Sequence, residues 1–469
     1  PKGRSVLFAG VNGYSKKVVP FPQAHYDLIE DHMVARYQSM ESPLMDDNGC
    51  LRVLSLDEAI NGVDGIEESR RMNMATSEGA LWTMGRDQED HNKSWLFEQG
   101  IDASNPDKYF AKTELVARMQ YVEDQLAEGK VPVILFSEHL KDERLKFKKT
   151  QNINNDPDFI NKTRSFTICP IDYSILVRMY THAFNVHIEY NRRSSEIQVG
   201  INPESTEWTN MVNHLHEVSP HIIAGDFANY DRGTPAESLD VSGRVINRLY
   251  NDSPRQQRVR ASLMRIAYNR PTQLNNVVCV IEQGLPSGYP LTSIVNSTNN
   301  YIYTALAWLA IMPEEYRSLM TMDRLVRSKY YGDDHLHAVS PEIIDRFNMR
   351  SLGEHFERHN IGYTDEDKNS WQTCATHRTI EDVSFLKRSF VWDKEVRRYL
   401  APLEKATIET RVRFAAASKF VDEGEMLTTL IDASLRDAAQ HGRQYTDELA
   451  TIIRRGLREQ EAIDLMPAT

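Results

Sequence analysis

Three carboxylates in this 469-residue chain stand where carboxylates could hold metal ions. Asp333 and Asp334 are adjacent within Lys329–Val339, flanked on both sides by aromatic and β-branched residues. That pattern predicts a hairpin with the Gly332-Asp333-Asp334 sequence at its tip. Adjacent aspartates repel, and side by side they need solvent, hydrogen bonds or cations. Gly-Asp-Asp is also ordinary turn composition, so the rest of the chain must decide. His221–Asp226 reads as a buried strand ending on a carboxylate, and Asp231 follows shortly after it. If that strand and the hairpin share a sheet, Asp226 comes near Asp333. Mg2+ is commonly held by one or two carboxylates together with substrate phosphates. Two such ions roughly 3.5–4 Å apart activate an attacking oxygen and stabilise a leaving one. Asp226, Asp333 and Asp334 are the candidate metal ligands and catalytic residues.

Groups suited to a nucleotide surround this centre in the sequence. Lys141, Arg144, Lys146, Lys148 and Lys149 form a basic run, and Arg164 lies in Lys162–Ile168, which alternates like a strand. Such a run is either a solvated, salt-bridged surface or a phosphate channel. Gly284-Leu285-Pro286-Ser287-Gly288 is a glycine-rich loop leading into a helix predicted over Thr292–Ile311. Thr292 and Asn296 share one face of that helix, and with Ser287 they could read a ribose. They are also common helix-start residues. Acidic strand ends, basic stretches and hydroxyl-reading groups together describe nucleotidyl transfer.

The elements that must position these groups follow from periodicity and punctuation. Helices are expected over Leu54–Ile60, opened by a Ser55/Glu58 capping box, and over Ala111–Gly129, Ile171–Tyr190 and Pro341–His359. Thr292–Ile311 is expected to be amphipathic. Arg255–Arg270 is basic and helical through Ile266, either meeting an anionic partner or salt-bridged. Strands are expected at Val131–Phe136, Val277–Glu282 and Val383–Phe390, and a loop or short strand at Ile361–Lys368. His335, His337, Tyr330 and Tyr331 read as structural. From Leu403 onward the chain is helical, over Ala406–Lys419, Glu423–His441 and Thr446–Gln460, so a boundary falls near 392–402.

The composition is 41% hydrophobic and 26% charged, as in a globular protein, and the formal net charge is -12. That charge argues against indiscriminate coating of nucleic acid but permits a basic channel inside an acidic shell. No run of about 18 apolar residues occurs, so no transmembrane segment is expected. The four dispersed cysteines argue against a disulfide framework or zinc site. The start at Pro1 rather than Met leads us to expect a piece of a longer product.

In their order and spacing these blocks resemble the RNA-dependent RNA polymerases of picorna-like positive-strand RNA viruses. Asp226-Phe227-Ala228-Asn229-Tyr230-Asp231 resembles the first palm motif. Gly284–Gly288 with Thr292–Asn296 resembles the second, and Tyr331-Gly332-Asp333-Asp334 the third. Tyr363–Lys368 resembles the fourth, with its lysine, and Phe385-Leu386-Lys387-Arg388 the fifth. The basic run with Lys162–Arg164 is similar to the fingers motif over the incoming nucleotide. Either Arg144 or Lys146 fills its arginine role, because Arg144-Leu145 inverts the usual order. Thr76-Ser77-Glu78-Gly79 is similar to a template-guiding loop, although Gly79 is followed by Ala80-Leu81-Trp82 rather than an early proline.

The resemblance implies an α+β fold, a closed right hand. Its fingers would be 1–183 and 234–277, its palm 184–233 and 278–394 (an antiparallel sheet plus helices), and its helical thumb 395–469. It implies template-directed RNA synthesis with two Mg2+, for which Mn2+ could substitute. Lys368 would serve as general acid. Asp231, Ser287, Thr292, Asn296, Lys141 and Arg164 would bind the nucleotide. RNA would meet Arg144, Lys146, Lys148, Lys149, Gly284, Gly288, Lys387, Arg388, Thr76 and Ser77. The implied partners are template and nascent RNA, ribonucleoside triphosphates, a viral peptide primer and other replication proteins. The implied location is the host cytoplasm, at membrane-associated replication complexes. A reverse transcriptase would need a bulky barrier where Asp231 and Asn296 admit a 2'-hydroxyl. A dead RNA-binding scaffold would be expected to have lost Asp226, Asp333 or Lys368.

Overall fold

The computed structural model describes residues 6–87, 92–142, 163–413, 422–460, 462, 465 and 466. Ser55 caps the short helix Leu56–Asn61, with its Oγ accepting from the Glu58 N–H while the Glu58 carboxylate accepts from the Ser55 N–H. Helix α1 (Thr113–Ala127) follows, burying Leu115, Met119, Val122 and Leu126 on one stripe. Strand β1 (Phe136–Leu140) pairs antiparallel with β2 (Ser165–Ile168). The strand expected over Val131–Phe136 therefore starts where that stretch ends. Val131 and Val133 are 69% and 70% exposed, because strand pairing begins only at Phe136.

Helix α2 (Ile171–Tyr190) is buried on nearly all faces and leads to β3 (Ile222–Phe227), buried throughout. Helix α3 (Pro254–Tyr268) carries the second basic segment, which proves salt-bridged. Arg255 meets Glu123 and Asp124, and the buried Arg260 meets Asp252. Strands β4 (Arg270–Leu274) and β5 (Val277–Ile281) complete a sheet of order β2-β1-β4-β5.

Helix α4 (Thr292–Ile311) has the expected bounds but is not amphipathic. Every residue from Ile294 to Leu309 is buried. Some of its polar side chains are satisfied within the helix, as when Thr298 and Thr304 bond back to the preceding turn. It lies beside the second sheet, where β6 (Val326–Tyr331) and β7 (Asp334–Val339) form the expected hairpin. Helix α5 covers only Met349–Arg358, because the Asn348 side chain caps it by accepting from Arg350 and Ser351. Strand β8 (Tyr363–Asp365) closes a second sheet of order β8-β3-β7-β6.

Val383–Phe390 is not a strand. Phe385 and Arg388 exchange both backbone hydrogen bonds across a two-residue turn. Leu386 and Lys387 sit there at φ of 54° and 61°, a left-handed pair that short hairpins need but non-glycine residues seldom adopt. Helices α6 (Lys405–Arg413), α7 (Glu423–Ala439) and α8 (Arg443–Glu459) pack around their own cluster, including Ile408, Ile431 and Ile453. Among the described residues no helix is long and apolar enough to cross a membrane.

Candidate active site

Pairing within the second sheet brings the carboxylates together. Strand β7 pairs β3 from Ile222↔Ala338 to Gly225↔His335, so the next step sets Asp226 against the start of β7 at Asp334. Tyr331↔Asp334 closes the hairpin, leaving Gly332 and Asp333 as its two-residue turn, with Gly332 at φ 62°. On the other side, β8 places Thr364 against Asp226 and carries the chain on to Lys368. Gly225 must be glycine, since a Cβ there would collide with the Tyr363 hydroxyl and the His335 ring. Those two groups bond each other at 2.8 Å, and burial pushes His335 down to about 3, so it is a neutral packing residue.

Helix α4 braces this arrangement from beside the sheet. Asn296 Nδ2 donates to Asp231 Oδ1 at 2.5 Å, and the Tyr230 hydroxyl donates to the Asn296 carbonyl at 2.9 Å. One turn on, the Gly332 N–H donates to Ser297 Oγ at 2.8 Å, and Asn300 Nδ2 donates to the Gly332 and Asp333 carbonyls at 3.0 Å each. Sequence reasoning missed Ser297 and Asn300. The signal was present, because Asn300 lies four residues after Asn296 on the same face.

A cavity of about 430 Å3 opens over these groups, lined by Arg164, Asp231, Asp333, Ser287 and Lys368 among others. Arg164 is thus on the site, and its charge helps hold down the pKa of Asp231, which burial raises. Ser287 and Thr292 serve the loop itself. Ser287 Oγ accepts from the Thr167 N–H at 3.1 Å, and Thr292 Oγ bonds the Pro286 and Tyr289 carbonyls at 2.8 Å. Gly284, at φ 66°, is wedged against the Asp231-Arg232 backbone, and the Gly288 N–H donates to the Thr167 carbonyl. Gly284 and Gly288, both expected at RNA, make close backbone approaches that seat the loop.

The remaining expected residues divide by place. The Lys141 side chain is exposed, and its N–H pairs with the Arg164 carbonyl. Thr76 and Ser77 are on a loop, with Ser77 at a separate cavity of about 500 Å3. Lys387 faces Asp334, whose carboxylate also accepts from the Leu386 N–H. Arg388, expected on RNA, instead donates to the buried Asp437 of α7 at 2.7 Å and to the Ala401 carbonyl at 2.8 Å. Its guanidinium is committed to joining the turn to the C-terminal helices. Arg144, Lys146, Lys148 and Lys149 lie outside the described residues.

The electrostatics are those of a site needing positive charge. Burial, then the neighbouring Asp334, raises Asp333 to about 6, and burial raises Asp334. Asp226 Oδ1 is buried with no hydrogen-bond partner, while Oδ2 is bonded by the Lys368 ammonium. Among the described residues no three acidic, histidine or cysteine side chains lie together as a metal-holding group. A partial set of carboxylates with an unpartnered oxygen fits Mg2+, which retains positions for substrate phosphates.

Residues 7–454 match the family described as "Viral RNA-dependent RNA polymerase". The chain is 31% identical over 447 residues to the genome polyprotein of Rice tungro spherical virus (strain A), covering 94% of this chain and 12% of that polyprotein. It is 29% identical over 405 residues to the RNA1 polyprotein of Cowpea mosaic virus (strain SB), covering 84% of this chain and 21% of that polyprotein. It spans only a small part of these relatives. Among solved structures it resembles the Sicinivirus 3Dpol RNA dependent RNA polymerase, with a TM-score of 0.74 at 21% identity, covering 98% of this chain and 87% of that one. The shared fold is the polymerase right hand.

Proposed function

This chain belongs to the viral RNA-dependent RNA polymerases, and from that membership we propose that it extends RNA on an RNA template by two-metal nucleotidyl transfer. The observation that carries the reading is the Asn296–Asp231 hydrogen bond at 2.5 Å, on the wall of a cavity that also holds Asp333 and Lys368. A carboxylate so oriented is a fixed acceptor for a ribose hydroxyl, beside carboxylates suited to cations.

In this reading Asp226 and Asp333 hold the ions, with Asp334 assisting. Two Mg2+, when bound, would supply charge neutralisation and a more nucleophilic 3'-hydroxyl. Arg164 and Lys141 steady the triphosphate. Lys368 gives a proton to the departing pyrophosphate oxygen. Lys387, Thr76, Ser77 and the basic run at 144–149 face RNA. The first sheet and its helices act as fingers, the second sheet as palm and the C-terminal helices as thumb, with the expected bounds (fingers 1–183 and 234–277, palm 184–233 and 278–394, thumb 395–469) except that β5 (Val277–Ile281) stays with the fingers sheet. A peptide primer, other replication proteins and a membrane-associated cytoplasmic site complete the proposal.

Primer extension with ribo- and deoxyribonucleotides on RNA and DNA templates tests it. Ribonucleotide incorporation on RNA alone is the expected result. Equal use of deoxyribonucleotides, or a preference for DNA template, would overturn it.

A further inference from the structure

The grip of α4 on the catalytic turn carries an inference that rests on the polymerase reading and goes beyond it. Ser297 and Asn300 are both fully buried. Ser297 Oγ accepts from the Gly332 N–H at 2.8 Å and donates to the Ser293 carbonyl at 2.7 Å, so both of its roles are used. Asn300 Nδ2 meets two carbonyl oxygens, those of Gly332 and Asp333. Carbonyls only accept, so the Asn300 amide cannot be turned around without setting oxygen against oxygen. Its own Oδ1 is left buried without a partner. An unsatisfied buried acceptor is costly, and here it accompanies two donor contacts to the turn. Asn296, one turn earlier on the same face, holds Asp231.

We propose that Ser297 and Asn300 are positioning residues that set the Gly332–Asp333 turn, so that Asp333 meets its cation at a fixed place relative to Asp231 and Asp226. They touch no substrate. What they govern is the divalent-cation requirement, and nucleotide and RNA affinity are left alone.

The test uses the full chain and four variants: Ser297→Ala, Ser297→Thr, Asn300→Ala and Asn300→Asp. Binding of Mn2+ alone is followed by water-proton relaxation, without RNA or nucleotide. The Mg2+ concentration for half-maximal single-nucleotide extension, the nucleotide KM, the RNA Kd and the melting temperature are measured alongside. Partners that orient metal ligands are worth about 10–100-fold in metal affinity or activity. Ser297→Ala and Asn300→Ala should therefore weaken Mn2+ binding and raise the Mg2+ requirement about tenfold, with KM and RNA Kd changed less than about twofold. Ser297→Thr keeps the acceptor and should stay near the parent. Asn300→Asp, which sets carboxylate oxygens against two carbonyls, should be the most defective. If Asn300→Ala does not fold, Ser297→Ala, which deletes one hydroxyl, decides alone.

An unchanged Mn2+ affinity in Ser297→Ala overturns the proposal. So does Ser297→Thr being as defective as Ser297→Ala, or RNA affinity falling in step with metal affinity. A parent chain that binds Mn2+ but extends no primer defeats the polymerase reading and leaves the positioning claim to the Mn2+ data. A parent chain that binds no Mn2+ defeats the positioning claim.

Discussion

The Lys368 ammonium is bonded to the Asp226 carboxylate, which ties the turn after β8 to the end of β3. Lys368 holds a left-handed backbone, φ 69°, and Asp365 in the same turn accepts hydrogen bonds from Asp367 and Asn369. Burial, and then the Lys387 charge, press the Lys368 pKa down, while the bonded Asp226 carboxylate works against that shift. Lys368→Leu should slow single-turnover incorporation by about 10²-fold, the scale of general acid catalysis. A lysine donor works only while protonated, so the parent should lose rate as pH rises through the lowered pKa. The variant should lack that alkaline fall. A slowdown equal at every pH would make Lys368 only a counter-ion.

Asp333→Asn should separate activity from stability. The folded Asp333 carboxyl, at about 6, binds its proton more tightly than in the unfolded chain. Stability from this group is therefore present at low pH and is lost as pH rises from about 4 towards 6. The amide carries no such penalty. At neutral pH the variant should be more stable by on the order of 1 kcal/mol, visible as a melting point higher by a few degrees, and the gain should vanish near pH 4. Incorporation should fall by roughly 10³-fold or more. Near-parental extension with Mg2+ as the sole metal would end the metal-ligand assignment.

Asn296→Ala should alter the choice of sugar. A site that hydrogen-bonds a hydroxyl can reject the analogue lacking it by up to about 10⁴–10⁵-fold. With Asp231 released from its 2.5 Å bond, incorporation of GTP should slow far more than that of dGTP. Single-turnover rates with both nucleotides decide it. An equal slowing would make Asn296 a general packing residue.

Asp437 accepts from both Arg388 and Arg411, at 2.7 and 2.8 Å, and its side chain is 5% exposed. Asp437→Ala takes the carboxylate from two guanidiniums and should weaken the packing of α7 on the turn by about 3 kcal/mol, the scale for breaking a buried pair. Hydrogen exchange across 423–439 would report it. Arg388→Ala should leave the salt dependence of RNA binding unchanged. A loss of about one unit of slope would instead place Arg388 on a phosphate.

What could be read from the sequence was whatever depends on residue type over short spacing. The Ser55–Glu58 cap, the bounds of α4 and the tip of the β6–β7 hairpin all have local causes. The order of motifs placed Asp226, Asp333, Asp231 and Asn296 together before any contact was known. Distant backbone partners left no local trace. The commitment of Ser287 to Thr167, the wedge of Gly284 on Asp231 and the pairing of Arg388 with Asp437 all depend on segments far away in the chain. The turn at Leu386-Lys387 escaped because neither residue is one that normally marks a left-handed turn.

One helix segment, from Asn296 to Asn300, holds both the sugar-side carboxylate and the catalytic turn. In the proposed reading, sugar choice and cation placement are thereby mechanically linked. A change deeper in that buried helix, at Thr304 or Trp308 for instance, should act on both carboxylates at once. In that reading, variants selected for stricter sugar choice through this helix should also differ in rate. Independent adjustment is left to parts mounted elsewhere, such as the turn bearing Lys368 and the strand region bearing Arg164.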